Sequence, residues 1–170
     1  LTKNKNIKIK FNESFNLNYK IKPRYLTIYT GPLDSLMRYK FGKLEWRSLS
    51  FKKVTKNMRD FQGTSVINYP DLKDKFTRIH EPKHLHPERK PFKSDRTLII
   101  KEYSKKNDKE PYYPINDERN RLIHRKYKLE VSKIKRFEFG GRLADYAYYD
   151  MDMTISAALK KFDQIKKKIK

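Results

Sequence analysis

The 170 residues include no cysteine, so neither a disulfide framework nor a cysteine-ligated zinc site can form. Glycine is scarce. Gly31, Gly42, Gly63, Gly140 and Gly141 are the whole supply, and no dinucleotide-binding G-x-G-x-x-G turn can be built from them. No stretch approaches the roughly 20 apolar residues that span a bilayer. Thr2 to Lys10 alternates polar and basic residues without the apolar run of a signal peptide, and the first residue is Leu1 rather than Met. These absences lead us to expect a cytoplasmic, soluble chain, and the start at Leu1 hints at truncation.

Acidic residues are also under-represented, 20 against 42 basic ones, for a formal charge of +22. The first reading of such a balance is nucleic-acid binding. Yet most of the basic residues are lysines spread along the chain, whereas a binding stripe needs clustering and arginine is the better fork for phosphate and base edges. A basic nucleic-acid-binding domain is therefore kept as the alternative, and no specific nucleic-acid partner is expected. Adhesion to polyanions at low salt follows from the charge alone.

The apolar pattern calls for strands first and helices late. Ile7, Ile9 and Phe11 alternate with lysines as in a half-buried strand. Tyr25 to Tyr29 reads as a buried strand stopped by Gly31-Pro32, and Leu44 to Phe51, Thr64 to Asn68 and Thr97 to Tyr103 are further strands. Three prolines between Glu81 and Pro91 predict irregular chain there. Asn116 is placed to cap a helix running to about Lys133, with Asp117 and Glu118 in its first turn. After a strand at Phe137 to Phe139, Asp150 caps a last helix with Ile155, Ala158, Leu159, Phe162 and Ile165 at helical spacing. The fold class is α/β or α+β, with no internal repeat and no flexible linker.

Several clusters could carry chemistry, and each has a plainer reading. His80, His84 and His86 beside Glu81 resemble a metal set, but Pro82 disfavours the helix that would align them, so hydrogen-bonded or solvated histidines are expected and no metal. Asp150 and Asp152 are either paired carboxylates or the acidic start of a helix, whose N-terminus also suits an anionic cofactor. Tyr112, Tyr113, Tyr146, Tyr148 and Tyr149 lie near turns, with Arg142 close by, and offer stacking faces and hydroxyls for a sugar or nucleotide. Ordinary packing explains any one of them. From these residues alone the reading stops at an anion or nucleotide site of unknown type.

Segments in a fixed order narrow it. YTGPLD at Tyr29 to Asp34, FGKLEWRSL at Phe41 to Leu49, DFQGTSVINY at Asp60 to Tyr69 and FTRIHEPKHLHPER at Phe76 to Arg89 come first. EPYYPIN at Glu110 to Asn116 and FGGRLADYAYYDMD at Phe139 to Asp152 complete the set, which resembles the UDP-galactopyranose mutases nearly throughout from Tyr25 onward. The resemblance implies the C-terminal part of a Rossmann-like FAD-binding flavoprotein. Residues 1–136 would be the substrate-binding sheet region, and residues 137–170 the flavin-contacting strand and closing helix. It implies isomerisation of UDP-galactopyranose and UDP-galactofuranose, with reduced FAD as the cofactor and a flavin N5–sugar adduct, in the service of cell-wall polysaccharide synthesis.

The resemblance also implies residue roles. Arg78 would neutralise the substrate diphosphate, with Asn68 near the sugar and the hydroxyls of Tyr113 and Tyr148 on the diphosphate. Asp150 and Glu102 would be active-site carboxylates. Gly31, Arg142, Tyr149, Asp150 and Met151 would lie against the flavin. The plainer role for Arg78 is an ion pair with an acid such as Glu81. The family's N-terminal fingerprint, its uridine-gripping residues and its mobile lid have no counterpart here. Expected partners are thus UDP-galactose, the rest of the mutase chain and a second copy in a homodimer. A relative that keeps the sheet without turning over is the other alternative.

Overall fold

The computed structural model describes residues 3–19, 23–89, 94–106 and 110–169. Contacts group the chain into two compact units, residues 1–43 with 121–170, and residues 44–120.

The second unit is an antiparallel sheet of β2 (Trp46–Lys56), β3 (Val66–Asn68), β4 (Arg78–His80), β5 (Thr97–Lys106) and β6 (Tyr113–Pro114), in the order β3-β4-β5-β2-β6. Its spine is the long β2–β5 ladder, from Arg47 opposite Lys106 to Lys56 opposite Thr97. Period-2 alternation decides the faces. Trp46, Ser48, Ile79, Thr97 and Ile99 are buried on one side. The opposite side carries exposed Arg47 and Phe51. The proline-rich connection between β4 and β5 makes two 3₁₀ turns, Pro82–Leu85 and Pro87–Arg89, because proline lacks the N–H that a strand ladder needs. Residues 90–93 lie outside the described residues.

The first unit joins β1 (Thr27–Tyr29) and β7 (Phe137–Phe139) as a parallel pair, Ile28 opposite Glu138. It also holds α1 (Leu33–Leu36), most of α2 (Glu118–Val131) and α3 (Met151–Ile169). Its core contains Leu33, Leu36, Val131, Ala144, Tyr146 and the fully buried Tyr127. The Tyr127 hydroxyl donates to the Gly42 carbonyl at 2.8 Å and accepts from the Phe41 N–H at 2.9 Å, so its polar tip is satisfied inside. A parallel pair, an antiparallel sheet and a C-terminal helix make the expected mixed α/β class.

Local expectations fare unevenly. β2, β3, β5 and β7 lie within a few residues of their expected places. Residues 7–11 form no strand, and Ile7, Ile9 and Phe11 are exposed, because alternation yields a strand only where a partner edge accepts it. β1 starts at Thr27 rather than Tyr25 and is not buried, since a two-stranded pair leaves Ile28 57% exposed. The cap of α2 is Asp117, whose Oδ1 accepts from the Asn120 N–H at 2.8 Å, and not Asn116. α3 starts as expected, with the Asp150 carbonyl accepting from the Thr154 N–H at 2.9 Å. Of its apolar positions Ile165 is buried, while Ile155, Leu159 and Phe162 are exposed. Among the described residues no helix is long and apolar enough to cross a membrane.

Candidate functional site

The candidate residues divide between the two units: Asn68, Arg78, Glu102 and Tyr113 on the sheet, and Gly31, Arg142, Tyr148, Tyr149, Asp150 and Met151 in the other.

On the sheet, register assembles them. Asn68 on β3 stands opposite Arg78 on β4, which stands opposite Glu102 on β5, which stands opposite Phe51 on β2. Directly opposed residues share a face, so four residues far apart in sequence form one cross-strand row. Tyr113 pairs with Arg47, four residues along β2 from Phe51, and so shares that face. Arg78 Nε donates to Asn68 Oδ1 at 2.9 Å. A neutral amide thus steadies the guanidinium, which makes no ion pair among the described residues. The plainer role, pairing with Glu81, does not occur. Arg78 and Glu81 are three residues apart in extended chain and point to opposite faces.

Glu81 is instead fully buried and saturated. Its carboxylate accepts from Thr97 Oγ1 at 2.6 Å and Gln62 N–H at 2.9 Å, and pairs with Lys83 at 3.2 Å. Burial pushes its pKa up, but these donors and the Phe61 N–H outweigh burial and hold it below the usual value. All three clustered histidines contact carboxylates, as expected: His80 with Glu102 at 3.1 Å, His84 with Asp60 at 3.2 Å and His86 with Glu88 at 3.0 Å. Donor atoms of Asp60, Glu81 and His84 lie within 4.8 Å of one another. The Lys83 ammonium already neutralises the buried carboxylate of that group, where a cation would have to compete.

Glu102 is 5% exposed. Thr77 Oγ1 donates to its Oε1 at 3.1 Å, and His80 Nε2 meets its Oε2 at 3.1 Å. Thr77 was not singled out in the sequence, and His80 was weighed there only as a member of the histidine cluster. What would have placed them beside Glu102 is the alternation of the TRIH tetrapeptide, which is too short to stand out.

In the other unit a turn follows β7. The Gly140 N–H donates to the Tyr29 carbonyl at 3.1 Å, and Gly141 takes a φ of +87°, where a side chain would strain the backbone. Asp145 Oδ2 accepts from the Gly141 N–H at 3.1 Å and from the Tyr149 hydroxyl at 3.3 Å. Burial and that carboxylate both raise the Tyr149 pKa. His124 donates from Nε2 to the Ala144 carbonyl at 2.9 Å and lies 5.5 Å from the Tyr146 ring; burial lowers its pKa. Asp145 and His124, which brace this turn, gave no signal in sequence.

Arg142 is half-buried in this turn, Tyr148 is 58% exposed, and Asp150 and Met151 are exposed at the start of α3. The Asp150 carboxylate makes no hydrogen bond among the described residues, so it is not spent on capping. Two donors here suit an anionic cofactor, the Arg142 guanidinium and the N–H groups at the start of the 19-residue α3, while both glycine N–H groups of the turn are already engaged. Gly31 has a local reason as well, since a Cβ there would lie 2.5 Å from the Tyr29 hydroxyl oxygen.

Comparison with known proteins follows the same lines. The family model described as UDP-galactopyranose mutase matches residues 1–148. A Klebsiella pneumoniae protein named as a probable UDP-galactopyranose mutase is 39% identical over 139 residues, covering 80% of this chain and 35% of its own. The dTDP-fucopyranose mutase of Escherichia coli is 35% identical over 133 residues, covering 77% and 34%. The UDP-galactopyranose mutase of Mycoplasma genitalium is 37% identical over 157 residues, covering 89% and 37%. The chain thus spans about a third of the length of the curated relatives it matches. With the matched region extending over most of its length and identity near two-fifths, this chain belongs to the UDP-galactopyranose mutase family.

Proposed function

We propose that the protein carrying these residues interconverts UDP-galactopyranose and UDP-galactofuranose. The observation that carries the reading is the row Asn68–Arg78–Glu102, in which the guanidinium is oriented by an amide and left without a carboxylate partner among the described residues. A cation held that way is ready for a diphosphate. It gains strength as the anomeric bond breaks, because the leaving nucleoside diphosphate then takes on negative charge. Asn68 orients Arg78 and faces the sugar, and the hydroxyls of Tyr113 and Tyr148 donate to the diphosphate. Asp150 and Glu102 are the carboxylates of the site.

The cofactor in this reading is FAD in its reduced state. Arg142 would hold its pyrophosphate, with Gly31, Tyr149, Asp150 and Met151 against the ring system. Reduced flavin supplies a nucleophilic nitrogen for the anomeric carbon, so the hard chemistry belongs to the cofactor. The protein orients the sugar, stabilises the leaving diphosphate and manages protons. Residues 1–136 then serve the substrate and residues 137–170 the flavin, with the rest of the family fold completing the site. A cytoplasmic location, a homodimer and supply of galactofuranose to cell-wall polysaccharide complete the proposal.

The E. coli relative is named for a dTDP-fucose substrate, so nucleotide and sugar identity need a direct test. Incubating the complete protein with UDP-galactofuranose, with and without dithionite, should give conversion only under reduction. Equal turnover by the oxidised protein would sink the flavin role, and preference for dTDP-fucose would sink the substrate assignment.

A further inference from the structure

The two oxygens of Glu102 are held separately, Oε1 by the Thr77 hydroxyl and Oε2 by His80 Nε2, each at 3.1 Å. An ionised carboxylate only accepts, so the shared proton sits on Nε2, and a neutral imidazole then keeps its lone pair on Nδ1. Nδ1 of His80 has no hydrogen-bond partner among the described residues. His80 lies two residues from Arg78 on β4 and therefore faces the same side of the sheet.

Few other groups face this ring. Phe51 of β2 lies edge-on at 6.5 Å, Val66 of β3 and Ile100 of β5 stand opposite His80, and Lys53 stands opposite Ile100 one strand further. Glu102, which His80 touches, Arg78 and Lys53 are the charged residues that strand register places around it on this face. Lys83 is engaged with Glu81, and His84 lies against Asp60 and Glu81.

A hexose that passes from a six-membered to a five-membered ring must move one proton. The hydroxyl oxygen that becomes the new ring oxygen loses its hydrogen, and the former ring oxygen gains one. One C–O bond breaks and another forms, with no net oxidation. We infer that His80 is the carrier of that proton: Nδ1 takes it from the attacking hydroxyl and returns it to the oxygen that leaves the ring. Glu102 is then a positioning residue that fixes the tautomer and stabilises the imidazolium. This inference rests on the ring-isomerisation reading above.

His80→Gln is the discriminating variant, because its amide nitrogen still donates to Glu102 while no basic nitrogen remains. In the complete reduced protein it should lower kcat about a hundredfold with KM little changed. It should also remove the acidic limb of the kcat profile, which arises because a protonated imidazole cannot accept. His80→Ala should show the same loss of kcat, joined by a raised KM as Glu102 loses its partner. A His80→Gln variant with wild-type kcat and the same acidic limb overturns the role of His80 alone. A wild-type protein that isomerises no nucleotide sugar overturns the activity reading and this inference together. Nitrogen-15 shifts of His80 in the 170-residue chain report separately on the dyad. The Nε2–H tautomer is expected, shifting on Glu102→Ala, and an Nδ1–H tautomer would overturn the arrangement.

Discussion

Replacing Arg78 with alanine separates a structural arginine from a functional one, because the two roles predict losses of different size. The folded protein would lose one exposed hydrogen bond, Arg78 Nε to Asn68 Oδ1 at 2.9 Å, and no ion pair among the described residues. Such a bond contributes about 1 kcal/mol at most, or roughly 2–4 °C in Tm for a chain of this size. A charged donor aimed at a developing negative charge is worth about 3 kcal/mol, a hundredfold or more in rate. Arg78→Lys keeps the charge without the planar fork and should recover only part of that rate. The assay is conversion of UDP-galactofuranose by the complete reduced protein, with melting measured on the same preparation. A kcat per folded molecule within about threefold of wild type would remove Arg78 from the chemistry. A collapse in Tm without a kinetic defect would return it to the scaffold.

Glu81→Gln should lower stability by about 3 kcal/mol in urea unfolding, since it leaves Lys83 beside an uncharged group in a buried network. The Glu81 carboxyl is held below its usual 4.5, so its contribution is present above that value and is lost as pH falls through the lower folded value. Acid unfolding that is unchanged by the substitution would refute this. Tyr127→Phe should cost about 1–3 kcal/mol by thermal melting, because the Phe41 N–H and Gly42 carbonyl lose their buried partner, and a neutral result would mean water replaces the hydroxyl. The 170-residue chain by itself should come off a desalting column colourless, because it lacks a glycine fingerprint for the FAD pyrophosphate. A stoichiometric flavin spectrum would contradict that.

Much was legible in the residues alone. Strands β2, β5 and β7 were readable because alternation, β-branched content and glycine or proline stops act locally, and α3 because an aspartate at its start precedes a long run at helical spacing. The mutase resemblance was legible for a different reason: motifs keep their order whatever the fold does with them. Residues 7–11 misled for want of a partner, since a strand is a property of two segments. The short β4 was missed because three residues carry too little pattern.

Only tertiary structure could decide what the charged residues meet. Arg78 and Glu81 are close in sequence yet face opposite sides of the sheet, while Asn68, ten residues away, is the hydrogen-bond partner. Glu102 is 22 residues from His80, and register alone brings their side chains to 3.1 Å. The sequence by itself determined which chemical groups are available and the family they belong to. Strand pairing decided which of them share a face, because hydrogen-bond register acts across the sheet and leaves no mark on residue spacing.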